Sequence, residues 1–285
     1  MTVTALEMSS PVGLIAGGGI MPLAVAQSLK ARGLEPVIFA LKGVCDRETA
    51  ERFRHHWITV GQLGRTIRLL RAENCTNLIF IGTLVRPALS EIRLDWKTIR
   101  VMGRVWSAFR GGDDHLLSGI GRLFEQEGFQ LVGLKEAAPD LLMPEGFATR
   151  NAPDGDAVAD IEKGREVLRA LGPFDIGQAV VVIDGHVVGV EGIEGTDELL
   201  TRIATLRASG RIRAKNGRGV LVKAPKSTQD LRFDLPTIGR RTVEKAAAAG
   251  LAGVAVETGA IVVAEPQAMI ETADAAGLFV MGLRA

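Results

Sequence analysis

The chain has 285 residues, more than a single hydrophobic core usually organises, so two medium domains are the favoured expectation. With 47% hydrophobic residues, 24% charged residues and 34 glycines, it has the composition of an ordinary α/β globular protein, without a disordered tail or low-complexity tract. A net charge of +1, no tyrosine and 5% aromatic residues exclude a basic field and base-stacking platforms, so nucleic-acid binding is not expected.

In chain order, apolar runs at Val12 to Ile15, Pro36 to Ala40, Trp57 to Val60 and Leu78 to Ile81 predict strands. The patterns at Pro22 to Arg32, Asp46 to Phe53 and Leu63 to Asn74 predict the helices between them. This βαβ rhythm belongs to a parallel, doubly wound sheet, so residues 1–137 are expected to form a Rossmann-like domain. Further helices are expected at Thr98 to Ala108 and from Gly112 to about Gly128, the second capped by Asp113 or Asp114, followed by a strand at Phe129 to Val132. Pro139, Pro144, Gly146, Pro153 and Gly155 then break the pattern and mark residues 138–156 as a linker.

Residues 157–285 are expected to form a second α/β domain. It opens with a helix at Ala157 to Leu171 and a hairpin whose arms, Ala179 to Ile183 and Val187 to Val190, flank Asp184-Gly185, a strong two-residue turn signal. Thr196 and Asp197 are expected to cap a helix ending near Gly210, and Gly219 to Val222 to form a strand. A helix at Arg241 to Ala249, strands at Val254 to Glu257 and Ile261 to Ala264, a helix at Pro266 to Ala276 and a strand at Leu278 to Leu283 complete the unit. No run approaches the roughly 18 apolar residues of a spanning helix, and the first residues lack the basic start of a signal peptide, so a cytoplasmic location is expected. Cys45 and Cys75 stand apart from any metal-ligand or disulfide spacing, and His55, His56, His115 and His186 have no partners at metal-ligand or triad spacing.

The most informative stretch is Lys223-Ala-Pro-Lys226-Ser-Thr-Gln229-Asp230-Leu-Arg232-Phe-Asp234-Leu-Pro236-Thr237-Ile-Gly239, a polar loop between a strand and a helix. Lys223, Lys226 and Arg232 suit an anionic ligand, and Pro236-Thr237 reads as a helix start whose amides and dipole add positive potential. Asp230 and Asp234 are carboxylates able to hold a divalent metal or to position water. The alternative is a solvated loop whose charges pair with one another. Upstream, Gly17-Gly18-Gly19 follows the first strand where a nucleotide-binding turn belongs, although Pro22 and Lys42 replace the third glycine and the acid of an NAD fingerprint. Arg86, in Gly82-Thr83-Leu-Val85-Arg86-Pro87, ends another strand and suits a phosphate clamp. Asp175-Ile-Gly177-Gln178 and Glu191-Gly-Ile-Glu194-Gly195-Thr196-Asp197 bracket the hairpin and bring polar groups to one end of it.

GLIAGGG, the Gly-x-x-Val-Arg-Pro turn, GDD, DIGQ, EGTD and KAPKxxQDxRxDLPTIG together make the chain similar to the LpxI family over nearly its whole length. That resemblance implies hydrolysis of the pyrophosphate of UDP-2,3-diacylglucosamine to UMP and 2,3-diacylglucosamine 1-phosphate (lipid X) in Gram-negative lipid A biosynthesis, assisted by a divalent cation, usually magnesium. It further implies two α/β domains with the ligand in a cleft between them, a homodimer, and membrane contact only through the lipid substrate. By motif, Asp234 is the expected catalytic acid and metal ligand, supported by Asp230 and Gln229. Lys223, Lys226 and Arg232 are expected on phosphate, and Gly17, Gly18, Gly19, Arg86, Thr196, Asp197 and Thr237 elsewhere on the substrate. The chain departs from the family pattern at Thr83, where asparagine is expected, and at Ser227, where proline is. Two other classes remain open on the residues alone: an NADP-dependent oxidoreductase using the glycine turn with Lys42, and a non-catalytic nucleotide-sugar binding protein using the same loops.

Overall fold

The computed structural model describes residues 8–83, 95–98, 100, 113–226, 230–233 and 235–284, with the backbone alone at 113–117 and 147. Most of the helix expected at Thr98 to Ala108 lies outside the described residues, as do the site residues Arg86, Gln229 and Asp234 and the side chains of Asp113 and Asp114. The chain divides into two compact units, Met1–Leu141 with Asp230–Asp234, and Leu142–Gln229 with Leu235–Ala285.

In the first unit, β1 (Val12–Ala16), β2 (Pro36–Leu41), β3 (Arg54–Ile58), β4 (Asn77–Ile81) and β5 (Gln130–Leu131) form a parallel sheet in the order β3-β2-β1-β4-β5. The helices α1 (Met21–Ala31), α2 (Arg47–Glu51), α3 (Leu63–Ala72), α4 (Asp113–Gln126) and α5 (Leu134–Ala137) accompany it. Strands covered on both faces are apolar throughout, which is why β1 and β2 read VGLIA and PVIFAL and are buried at every position. Ile15, Phe39 and Leu78 pack on one face with Ile67 and Leu70 of α3 and Phe124 of α4. Fully burying each such side chain contributes about 1.5–3 kcal/mol. β3 lies three residues earlier than the run Trp57 to Val60 suggested. Its register is dictated by β2, which pairs Val37 with Arg54 and Leu41 with Ile58. As the edge strand it tolerates Arg54, His55 and His56, so its apolar signal covers only its end.

In the second unit the strands are β6 (Gly146–Phe147), β7 (Ala179–Ile183), β8 (His186–Val190), β9 (Val220–Lys223), β10 (Thr237–Gly239), β11 (Gly253–Glu257), β12 (Val262–Ala264) and β13 (Phe279–Leu283). The helices are α6 (Gly155–Leu171), α7 (Gly195–Ala208), α8 (Arg240–Ala248) and α9 (Pro266–Ala276). Six of the strands form a mixed sheet in the order β6-β13-β11-β9-β7-β8, and β10 pairs with β12 separately. Alternation along the strands sorts the core into two layers. Val181, Leu221, Val254 and Val280 face α7, α8 and α9, while Val180, Val182, Val222 and Phe279 face α6. Within residues 138–156, Leu142 and Met143 are buried and Gly146–Phe147 joins the sheet edge beside β13. The hairpin turns through Asp184 at φ 48° and Gly185 at φ 76°, the paired left-handed conformation of a type I′ turn. The buried Asp160 carboxylate accepts both turn amides, from Asp184 at 3.1 Å and Gly185 at 2.7 Å.

Two expected caps differ from the structure. Pro236-Thr237 does not start a helix: Thr237–Gly239 is a strand, pairing Thr237 with Val262 and Gly239 with Ala264, and α8 begins only at Arg240. Burial of Ile238 against the core favours the extended form there. Nor do Thr196 and Asp197 cap α7. The helix starts at Gly195 without a side-chain cap, and the Thr196 hydroxyl turns to Glu191 instead.

Candidate active site

β9 ends on Lys223, and strand alternation sends this residue to the same face as Leu221. The register pairs Lys223 with Ala179 of β7, and the Glu191 amide donates to the Ala179 carbonyl from the far side. A lysine and a glutamate thus stand on one sheet face, two strand spacings or roughly 10 Å apart, with an alanine between them that leaves room above it. Thr196, in the first turn of α7, fills that room. Lys223 Nζ donates to Thr196 Oγ1 at 3.0 Å and to the Thr237 carbonyl at 3.0 Å, and Thr196 Oγ1 donates to Glu191 Oε2 at 2.8 Å. Lys223 is 4% exposed and Glu191 6%. Burial pushes the Glu191 carboxyl above its ordinary range, against the pull of Lys223, Thr196 and Lys226; Glu194 adds to the push.

The loops around this chain are held by neighbouring pairs. Lys226 Nζ meets Asp175 Oδ1 at 2.7 Å, and Asp197 Oδ2 meets Arg241 Nε at 2.7 Å. Gly177, at φ 39°, lies so close to Glu191 that a Cβ would overlap its carbonyl oxygen, so this position requires glycine. The fold therefore gathers DIGQ, EGTD, Lys223-Ala-Pro-Lys226 and PTIG at one end of the second sheet, and it adds Glu191 as a buried partner. Among the expected site residues, Lys223 touches both Thr196 and Thr237, while Asp197 and Lys226 bind nearby counter-charges. Nothing in the linear pattern singles out Glu191 within its motif, because the pairing of β9 beside the β7-β8 hairpin is a tertiary fact.

Asp230 and Arg232 belong to the first unit. Arg232 grips Asp230 through Nε at 3.0 Å and Nη2 at 2.8 Å, and its Nη1 reaches Glu125 at 2.8 Å. The hydrogen bond from Arg232 holds the Asp230 carboxyl below the usual carboxylate range against the opposing effect of burial, and the same bond raises the Arg232 guanidinium. Phe233 anchors the stretch, its ring 5.4 Å from that of Phe80 and within the first unit's core.

The glycine turn lies where strand order reverses between β1 and β4, the position at which such sheets bind ligands. Gly17 N–H donates to Ile81 at 2.8 Å and Gly18 N–H to Thr83 at 2.9 Å, with Thr83 N–H returning to Gly18 at 2.9 Å. A Cβ on Gly17 would overlap the Thr83 carbonyl. Two of the three amides that the sequence offers to a phosphate are thus engaged in joining the β1 and β4 loops. A Cβ on Gly19, at φ 87°, would meet only open space.

Among the described residues, no group of three or more His, Cys, Asp or Glu side chains gathers as a metal site. Around Lys223, Asp175, Asp197 and Glu194 are paired with cations and Glu191 accepts from Thr196, so the described residues do not themselves gather a divalent ion. Cys45 and Cys75 are free and buried, and burial pushes the Cys75 thiol up to about 12.

These features define a two-unit α/β protein with a Rossmann-like N-terminal sheet and a buried lysine at a strand end of its C-terminal unit. Residues 11–141 match the LpxI N-terminal domain and residues 144–281 the LpxI C-terminal domain. The chain is 40% identical over 272 residues to the UDP-2,3-diacylglucosamine pyrophosphatase LpxI of Caulobacter vibrioides, covering 95% of this chain and 97% of that protein. It belongs to the LpxI family.

Proposed function

We propose that this chain hydrolyses the pyrophosphate bond of UDP-2,3-diacylglucosamine, releasing UMP and 2,3-diacylglucosamine 1-phosphate in lipid A biosynthesis. The observation that carries this reading is the 40% identity, over nearly the full length of both chains, to a relative named for that activity. Neither an NADP-dependent oxidoreductase nor a non-catalytic nucleotide-sugar binding protein is supported by that similarity.

Cleaving a phosphoanhydride with water breaks one P–O bond, forms another and releases a proton, so it requires neutralised oxygens and an aligned nucleophile. Lys223 has its ammonium held by Thr196 and the Thr237 carbonyl, a preorganised cation suited to the charge that develops on the leaving phosphate. Asp234 is the carboxylate proposed to orient the attacking water and take its proton, with Gln229 in a supporting role. Asp230 is assigned to holding Arg232, in keeping with their paired geometry. A requirement for magnesium is part of the proposal. The ion would supply the further charge neutralisation that turnover requires, beside the roles given to Lys223 and Asp234.

No helix among the described residues is long and apolar enough to cross a membrane. We place the protein in the cytoplasm as a homodimer that meets the membrane through the acyl chains of its substrate; sedimentation of the purified protein tests the dimer. The deciding assay incubates the protein with UDP-2,3-diacylglucosamine and magnesium and measures UMP. UMP release is expected, and its absence at enzyme concentrations that match the substrate overturns the assignment.

A further inference from the structure

We propose that Glu191 is a positioning residue for Lys223, acting through Thr196, so that a buried chain from ammonium to hydroxyl to carboxylate fixes the lysine for the pyrophosphate. The inference deepens the assignment above and rests on it for the identity of the ligand. Its basis is the proton count. A threonine hydroxyl has one proton, and Thr196 spends it on Glu191 Oε2 at 2.8 Å. Thr196 must then accept from Lys223 Nζ at 3.0 Å, a bond only the lysine can donate. The direction of the chain is fixed, and it leaves Thr196 no proton for a substrate oxygen. Thr196 is accordingly a bridge rather than the substrate contact its sequence motif suggested.

Burial makes the arrangement consequential. A lysine 4% exposed and a glutamate 6% exposed are each costly to remove from water, and the hydroxyl of Thr196, bonded to both, offsets part of that cost for each. The other charges facing Glu191 are occupied elsewhere: Lys226 by Asp175 at 2.7 Å and Glu194 by Arg202 at 3.1 Å. The sheet supplies the alignment, because Lys223 at the end of β9 and Glu191 just past β8 lie on either side of Ala179.

The test compares the wild type with Thr196→Val, Thr196→Ser, Glu191→Gln and the double variant Thr196→Val/Glu191→Gln, reading UMP release, melting temperature and the 15N-resolved signals of lysine ammonium groups. Thr196→Val and Glu191→Gln are each expected to lower kcat roughly ten- to hundredfold with a smaller change in KM, since a displaced lysine serves the transition state worse than the ground state. The double variant should be no worse than the poorer single one, because both break the same chain. Thr196→Ser, which keeps the hydroxyl, should recover most of the rate lost in Thr196→Val. In spectra, a slowly exchanging ammonium signal that Lys223→Met removes should vanish in Thr196→Val and return in Thr196→Ser. Folded variants with wild-type kcat, or additive losses in the double variant, overturn the inference while leaving the pyrophosphatase assignment intact. If the wild type releases no UMP, that assignment fails and the ammonium signal alone decides. Loss in Thr196→Val supports the chain, whereas persistence there, or absence from the wild type, overturns it.

Discussion

Burying an ammonium and a carboxylate costs several kcal/mol per ion before any interaction is counted, so the Lys223 and Glu191 pair is poor as a device for stability and better understood as one for placement. The same contrast between placement and chemistry tests the role proposed for Asp234. Replacing it with alanine should reduce turnover roughly a hundredfold or more while leaving the melting temperature near that of the wild type, because a group acting on the attacking water contributes to the transition state rather than to the fold. A lowered melting temperature with retained turnover would make it a structural residue. Asp230 is expected to behave in the opposite way. Its carboxyl is held below the usual range by Arg232, so the pair's stabilisation is fully present above about pH 4 and is lost as pH falls through the lowered folded-state value. Asp230→Asn should therefore cost up to about 1 kcal/mol at neutral pH. Thermal melts of the two proteins should converge as the solution is made more acidic than that, and a gap that stays constant to pH 2 would remove the ion pair as its cause.

Elements whose identity is local were readable from their residues, and those imposed by neighbours were not. Asp184-Gly185 between two β-branched runs specifies a hairpin because both turn residues must take positive φ, and the structure has them at 48° and 76°. What the sequence did not disclose is that Asp160, from α6, closes this turn by accepting both amides. Asp160→Ala strands those amides and is expected to destabilise the protein by about 1–3 kcal/mol in urea titrations, whereas a loss under a few tenths would mean that water replaces the carboxylate. The PTIG segment reads as a helix start because three residues are too few to display a period, and their strand pairing with Val262 to Ala264 is a tertiary fact. The glycine turn carries a further expectation. Because a Cβ at Gly17 overlaps the Thr83 carbonyl, Gly17→Ala should cost about 1–3 kcal/mol of stability, measurable as a lower urea midpoint at unchanged slope.

For the molecule as a whole, the two units each have their own core, and the loop that carries the site motif contributes Asp230–Asp234 to the first unit while its flanks belong to the second. Activity of the intact chain should be lost on chelation by EDTA and return with added magnesium, and full activity in excess chelator would remove the metal from the proposal. The sequence by itself determined the class of fold, since continuous apolar strands separated by helical periods can only be buried between helices, and its long motif determined the family. It also located most of the polar segments that meet in the second unit, because clusters of Lys, Asp and Thr between apolar runs mark the loops at strand ends where sites are built. Only the tertiary structure decided which of these residues touch. It made Thr196 a bridge instead of a cap, Thr237 a strand residue whose carbonyl receives Lys223, and Glu191 a buried partner. The reason is physical: the chain from Lys223 through Thr196 to Glu191 depends on the register that sets the end of β9 beside the β7-β8 hairpin, and register leaves no trace in the spacing of residues along one chain.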